Sequence, residues 1–160
     1  MSTETPPIQQ FYKPEAAICY GCGYNNPYGL HIQTRWDGEI GHSEFVPRPE
    51  HTAFPGYVYG GLLASLIDCH SIGTAIAAMY EAAGREPGTE PEITCVTGKL
   101  SVSYLKPTPM GVTLKLECRV KELTEKKAII TTEVIANGEV CVTGETVAVR
   151  VPSRLMDQPK

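Results

Sequence analysis

Residues Gly61 to Ala83 read GLLASLIDCHSIGTAIAAMYEAA, a stretch without proline and rich in Leu, Ile, Ala and Met. Such a run favours a single helix of about six turns. Its apolar members Leu62, Leu63, Leu66, Ile67, Ile72, Ile76 and Met79 spread around most of the circumference. A helix that is apolar on nearly every side must be covered on nearly every side. Gly60 and Gly61 stand at its opening, Gly84 offers a C-terminal stop, and the Gly/Pro-rich stretch Arg85 to Pro91 reads as a loop.

Outward from the helix the pattern changes to strands. Upstream, His31 to Trp36 and His42 to Val46 flank Asp37-Gly38-Glu39, a hairpin signal, and Pro47 to Gly56 forms a loop. Downstream come Val96 to Leu105, Thr113 to Lys121, Lys127 to Ala136 and Val140 to Val151. Lys106 to Pro109 ends the first of these, because proline cannot join a ladder. Thr124-Glu125-Lys126 and Asn137-Gly138-Glu139 supply the later turns. A hairpin, one buried helix and a four-strand meander predict an α+β domain in which a long central helix is wrapped by a curved antiparallel sheet of five to six strands. That is the hotdog fold. Its last strands are expected as open edges that pair with another copy, giving a homodimer or a dimer-of-dimers tetramer. Residues 1–17 read as a flexible N-terminal arm, 18–152 as the hotdog domain and 153–160 as a C-terminal tail.

The chain has 160 residues, 42% of them hydrophobic, and a formal net charge of -4, which recommends no nucleic-acid or membrane partner. The opening MSTETPPIQQ has neither the basic start nor the apolar stretch of a signal peptide, so the expected compartment is the cytoplasm. Six cysteines are then expected to be reduced. Cys69, Cys95, Cys118 and Cys141 lie singly in apolar segments and read as small buried hydrophobes. Cys19-x-x-Cys22, within the turn-rich Cys19 to Leu30, has only His31 nearby, short of the four ligands of a structural zinc site, so no metal is expected.

Phe54 to Asp68, with its Gly60-Gly61 and Asp68 spacing, resembles the His-Gly-Gly helix start of the hotdog thioesterases, particularly the phenylacetate-pathway type. Val96 to Pro107 is similar to that family's strand after the helix, and Gly144 to Val151 to its closing strand. Cys19 to Leu30 resembles a segment of many bacterial members. The resemblance implies an acyl-coenzyme A (acyl-CoA) substrate, with coenzyme A part of that substrate and no separate cofactor. It also implies that the Gly60 amide polarises the thioester carbonyl, that Asp68 acts as nucleophile or general base, and that the Thr97 hydroxyl supports Asp68. Tyr59 stands where the family usually has histidine, and Ala53 near where it often has Asn or Gln.

The residues carry part of this chemistry by themselves. A helix N-terminus presents unpaired N–H groups, and glycines there let a ligand approach, so Gly60 and Gly61 can stabilise an oxyanion or simply allow a tight turn. Asp68 in an apolar helix needs water, a partner such as a loop or Ser71, or a chemical role. Gly61, Ser65, Asp68 and Ile72 share one stripe. Seven residues of helix put Gly61 and Asp68 roughly 10 Å apart, too far for one carbonyl to meet both, so the amide and acid of one site are expected from two subunits. His70 points away from Asp68 and reads as structural. His51, Tyr59 and Ser65 are candidates for substrate contact, and Lys106, more than Lys99 or Arg48, for the coenzyme A phosphates. The leading reading is an acyl-CoA thioesterase. A non-catalytic acyl-CoA binding protein, favoured by Tyr59 and Ala53, is the alternative; a hydratase lacks its usual His-containing motif.

Overall fold

The computed structural model describes residues 5–152. The expected tail at 153–160 lies outside them. The central helix, α1, runs Gly60–Ala82. By length and composition it could cross a membrane, but 72% of its most apolar window is buried inside the protein. What covers it is a six-stranded antiparallel sheet of β1 (Arg35–Trp36), β2 (Ile40–Phe45), β3 (Thr94–Tyr104), β4 (Leu114–Leu123), β5 (Lys127–Ala136) and β6 (Glu139–Val151). One long helix against this sheet is the hotdog fold.

Alternation along the strands sets which residues meet the helix. In β5, Ala128, Ile130, Thr132, Val134 and Ala136 turn inward and are buried, while their neighbours are only partly covered or exposed. Leu114, Leu116 and Cys118 do the same in β4. Leu62, Leu63, Leu66 and Ile67 of α1 pack with Leu114, Leu116, Val134 and Val142, and Ala75, Ile76 and Met79 with Cys118, Ala128 and Ile130. At the β5–β6 turn, Asn137 and Gly138 both take positive φ, as an Asn-Gly hairpin requires.

Strand pairing differs from a meander. The order is β1-β2-β4-β5-β6-β3, so β4 pairs with β2 from before the helix, and β3 crosses over to lie beside β6. The last strand is interior, and the long open edge is β3. Joining the hairpin to β4 closes the sheet around a helix that needs cover on both flanks. The first hairpin strand is also shorter than its composition suggests, since His31 takes a positive φ of 55° and regular pairing starts only at Arg35.

Residues 5–17, expected as a loose arm, dock on the helix instead. A short 3-10 turn, Ile8–Phe11, buries Ile8 against the C-terminal half of α1, and Ala17 is fully buried. The Ile8 amide donates to Thr34 O at 2.9 Å, and the Gln9 side chain bonds Thr34 through both its amide groups. Ile8 and Gln9 supply what prolines and polar neighbours concealed: one apolar anchor and one satisfied buried amide.

Candidate active site

Asp68 lies on α1 facing β3, and is partly exposed. The Thr97 hydroxyl of β3 donates to its Oδ1 at 2.5 Å. Thr97 stands opposite Ala148, on the helix side of the sheet, just before a register shift between Thr97 and Lys99. Such a bulge re-aims side chains at a sheet edge. Ser71, the partner considered from the sequence, bonds Thr132 on the buried side of the helix at 2.9 Å. Asp68 therefore meets an edge strand whose Val96, Thr97, Gly98 and Lys99 are all exposed.

The helix start has its own surroundings. Leu62 and Leu63 amides turn back to Tyr59 O at 3.1 and 3.3 Å, and Tyr59 caps the helix without a side-chain bond. Among the described residues no backbone carbonyl accepts from the Gly60 or Gly61 amide. Both glycines are flanked by aromatic rings. The Tyr59 ring occupies the space a Gly61 side chain would need, and the Tyr104 ring lies where a Gly60 side chain would touch it at 3.4 Å. The Tyr104 hydroxyl donates to Gly60 O at 2.7 Å. Tyr104 was not singled out from the sequence, although alternation with Leu100 and Val102 already put it on the inward face of β3.

The other candidates separate. His51 is buried; its Nδ1 accepts the Arg48 amide at 2.9 Å, which leaves the proton on Nε2, and that atom is buried with no partner. Burial first, and the Arg48 charge second, hold its pKa below the usual histidine value. The loop is tied to the helix start by the Tyr59 amide donating to His51 O at 2.8 Å. Ser65 donates to Gly61 O at 2.9 Å, a bond internal to the helix. Lys106 pairs with Glu139 at 3.1 Å, and both are exposed. Arg48 pairs with Glu50 at 2.7 Å. His70 is fully buried, with Nδ1 2.9 Å from the Thr34 hydroxyl and Nε2 3.0 Å from Gly41 O; burial pushes its pKa down to about 4. It is a neutral structural residue.

Cysteine placement departs from expectation in one respect. Cys95, Cys118 and Cys141 are buried, as small hydrophobes are. Cys69, the residue after Asp68, instead joins Cys19 and Cys22, the three sulfurs lying within 4.8 Å of one another. Hydrogen bonds from the Cys22 and Cys69 thiols push the Cys19 thiol well below its ordinary pKa. Fifty residues separate Cys19 from Cys69, so no local spacing announces the third thiol.

The model of the thioesterase superfamily matches residues 55–143, which include the helix start, Asp68 and Thr97. A thioesterase superfamily protein from Shewanella loihica PV-4 is 42% identical over 81% of this chain and 96% of its own, with a TM-score of 0.62. The E. coli PaaI protein from the phenylacetic acid degradation operon shares the fold at 14% identity, with 76% of this chain and 80% of that one covered and a TM-score of 0.63. A Streptococcus mutans UA159 protein bound to acetyl CoA does so at 15% identity, 76% and 89% coverage, and a TM-score of 0.62. Among curated proteins no match was found.

Proposed function

Since the chain belongs to the thioesterase superfamily, we propose that it hydrolyses an acyl-coenzyme A thioester in the cytoplasm, with Asp68 as general base or nucleophile and the Gly60-Gly61 helix start as the oxyanion site. The observation that carries the reading is the Thr97 hydroxyl donating to Asp68 at the open edge of the sheet. A carboxylate oriented by one hydroxyl keeps its second oxygen for water or for a carbonyl carbon. The Gly60 and Gly61 amides, at the positive end of the helix dipole, face the charge that builds on the carbonyl oxygen during attack. The acetyl CoA held by the Streptococcus mutans protein of this fold supports the substrate class.

The site needs two copies. Along a continuous helix Gly61 and Asp68 are roughly 10 Å apart, whereas attack requires about 3 to 3.5 Å. In this reading a second copy pairs along the exposed edge of β3 and brings its own helix start to Asp68. His51 would place its unpartnered Nε2–H toward the bound ester, and Tyr59 and Ser65 would line its path. Lys106 would exchange Glu139 for a coenzyme A phosphate, at little cost because an exposed ion pair is weak.

One observation favours a second reading: the Tyr59 ring lies over Gly61, at the place where the carbonyl would approach. In that case the protein binds acyl-CoA without turning it over. A panel of short, long and aromatic acyl-CoA esters, assayed by free-thiol release and in parallel by calorimetric binding, distinguishes the two. Thiol release that Asp68→Asn abolishes supports hydrolysis. Binding with no release above background supports the second reading, and release unchanged in Asp68→Asn overturns the assigned mechanism.

A further inference from the structure

The Cys19, Cys22 and Cys69 cluster lies outside the residues assigned above to ester hydrolysis, and its geometry is that of a ligand set. The Cys19 and Cys69 sulfurs are 3.7 Å apart. A tetrahedral zinc ion with Zn–S bonds of about 2.3 Å spaces its sulfurs by about 3.8 Å. The third sulfur, from Cys22, lies within 4.8 Å of both. Among the described residues the cluster holds these three ligand atoms and no fourth.

The backbone around them is shaped for a metal as well. In Cys19-Tyr20-Gly21-Cys22-Gly23 the Gly23 amide closes the turn onto Cys19 O at 2.8 Å. A Cβ on Gly21 would run into the Cys69 sulfur, so glycine is what lets the turn close over the helix. A small buried hydrophobe would not require this turn. Cys19 is exposed and Cys22 and Cys69 are half-buried, which leaves solvent access on one side.

We propose that Cys19, Cys22 and Cys69 bind one zinc ion as a tri-thiolate site whose fourth position is held by water. Binding releases the remaining thiol protons to solvent and changes no oxidation state. The ion ties the N-terminal turn to α1 at the residue after Asp68, so it fixes the helix turn that carries the acid. Thiolate ligands favour zinc over hard divalent cations such as magnesium. Three protein ligands with one solvent position are a coordination set that zinc commonly takes.

The test uses the full chain, stripped of metal under reducing conditions and titrated with zinc alone. One equivalent is expected to bind and to block three thiols against alkylation. Cobalt in its place is expected to give intense sulfur-to-metal absorption, and X-ray absorption of the zinc form to count three sulfurs and one oxygen. Cys19→Ser, Cys22→Ser and Cys69→Ser should each weaken binding at least about 100-fold, more than the loss of an outer-shell partner costs, whereas Cys95→Ala should bind like the parent. Circular dichroism identifies any variant that fails to fold, and Cys19→Ser, at an exposed loop position, keeps the test open if Cys69→Ser does. Absence of stoichiometric binding, or unchanged affinity in a folded Cys19→Ser or Cys69→Ser, would overturn the proposal.

Discussion

Asp68 and His70 are two residues apart on one helix, and the fold treats them in opposite ways. His70 points into the core, where both ring nitrogens have partners and desolvation keeps the ring neutral. Asp68 points to the edge strand, is partly exposed, and meets one hydroxyl. Both are polar residues in an apolar helix, and a polar group there needs either complete satisfaction or access to water. His70 has the first and Asp68 the second. The comparison teaches that chemical availability on this helix follows from the side a residue faces rather than from its titratable character, since histidine is by nature the better base near neutral pH.

The sharpest way to break the comparison is to neutralise the open residue. Asp68→Asn should lower kcat by about 10²- to 10⁴-fold, the range of general-base contributions, while the urea midpoint stays near that of the parent. A comparable loss of kcat per folded molecule in His70→Leu would reverse the roles.

His70 should reveal itself in stability. Its folded pKa of about 4 lies below the unfolded value of 6.5, so the unfolded chain takes up its proton first as pH falls. The contribution is whole above pH 6.5, is lost as pH falls toward 4, and levels off below that at a total of about 3 kcal/mol. Urea unfolding at pH 7.5, 5.5 and 4 measures this slope, and His70→Leu should flatten it. The same variant should be destabilised at pH 7.5 by about 2 kcal/mol, because Gly41 O and the Thr34 hydroxyl lose a partner.

Smaller effects refine the Asp68 side. Thr97→Val removes the one hydroxyl on the acid and should lower kcat about 10-fold, with Thr97→Ser recovering most of it. Lys106→Ala breaks only an exposed ion pair, so stability should change by less than about 0.5 kcal/mol. A rise of KM for acyl-CoA of a few-fold, with kcat unchanged, would assign Lys106 to the phosphates.

The helix was legible because its signal is local. The proline-free run from Gly61 and its apolar residues all round require a covering sheet in any context, and the alternation of β5 and the Asn137-Gly138 turn are equally local. Thr97 as the partner of Asp68 came through resemblance, and the structure puts the two in contact. Ile8 was missed because a lone apolar residue among prolines carries no period. Cys69 read as an isolated hydrophobe because its neighbours in space are far away in sequence.

By itself, then, the sequence determined the elements, their order and the presence of one costly acid in a buried helix, because periodicity, turn chemistry and desolvation act over a few residues. Tertiary structure alone decided that β3 lies beside β6 at the open edge, that Asp68 faces that edge while His70 is sealed, and that Cys19, Cys22 and Cys69 meet. Those outcomes depend on which strand closes against which, a choice made by packing around the whole helix and written in no single segment.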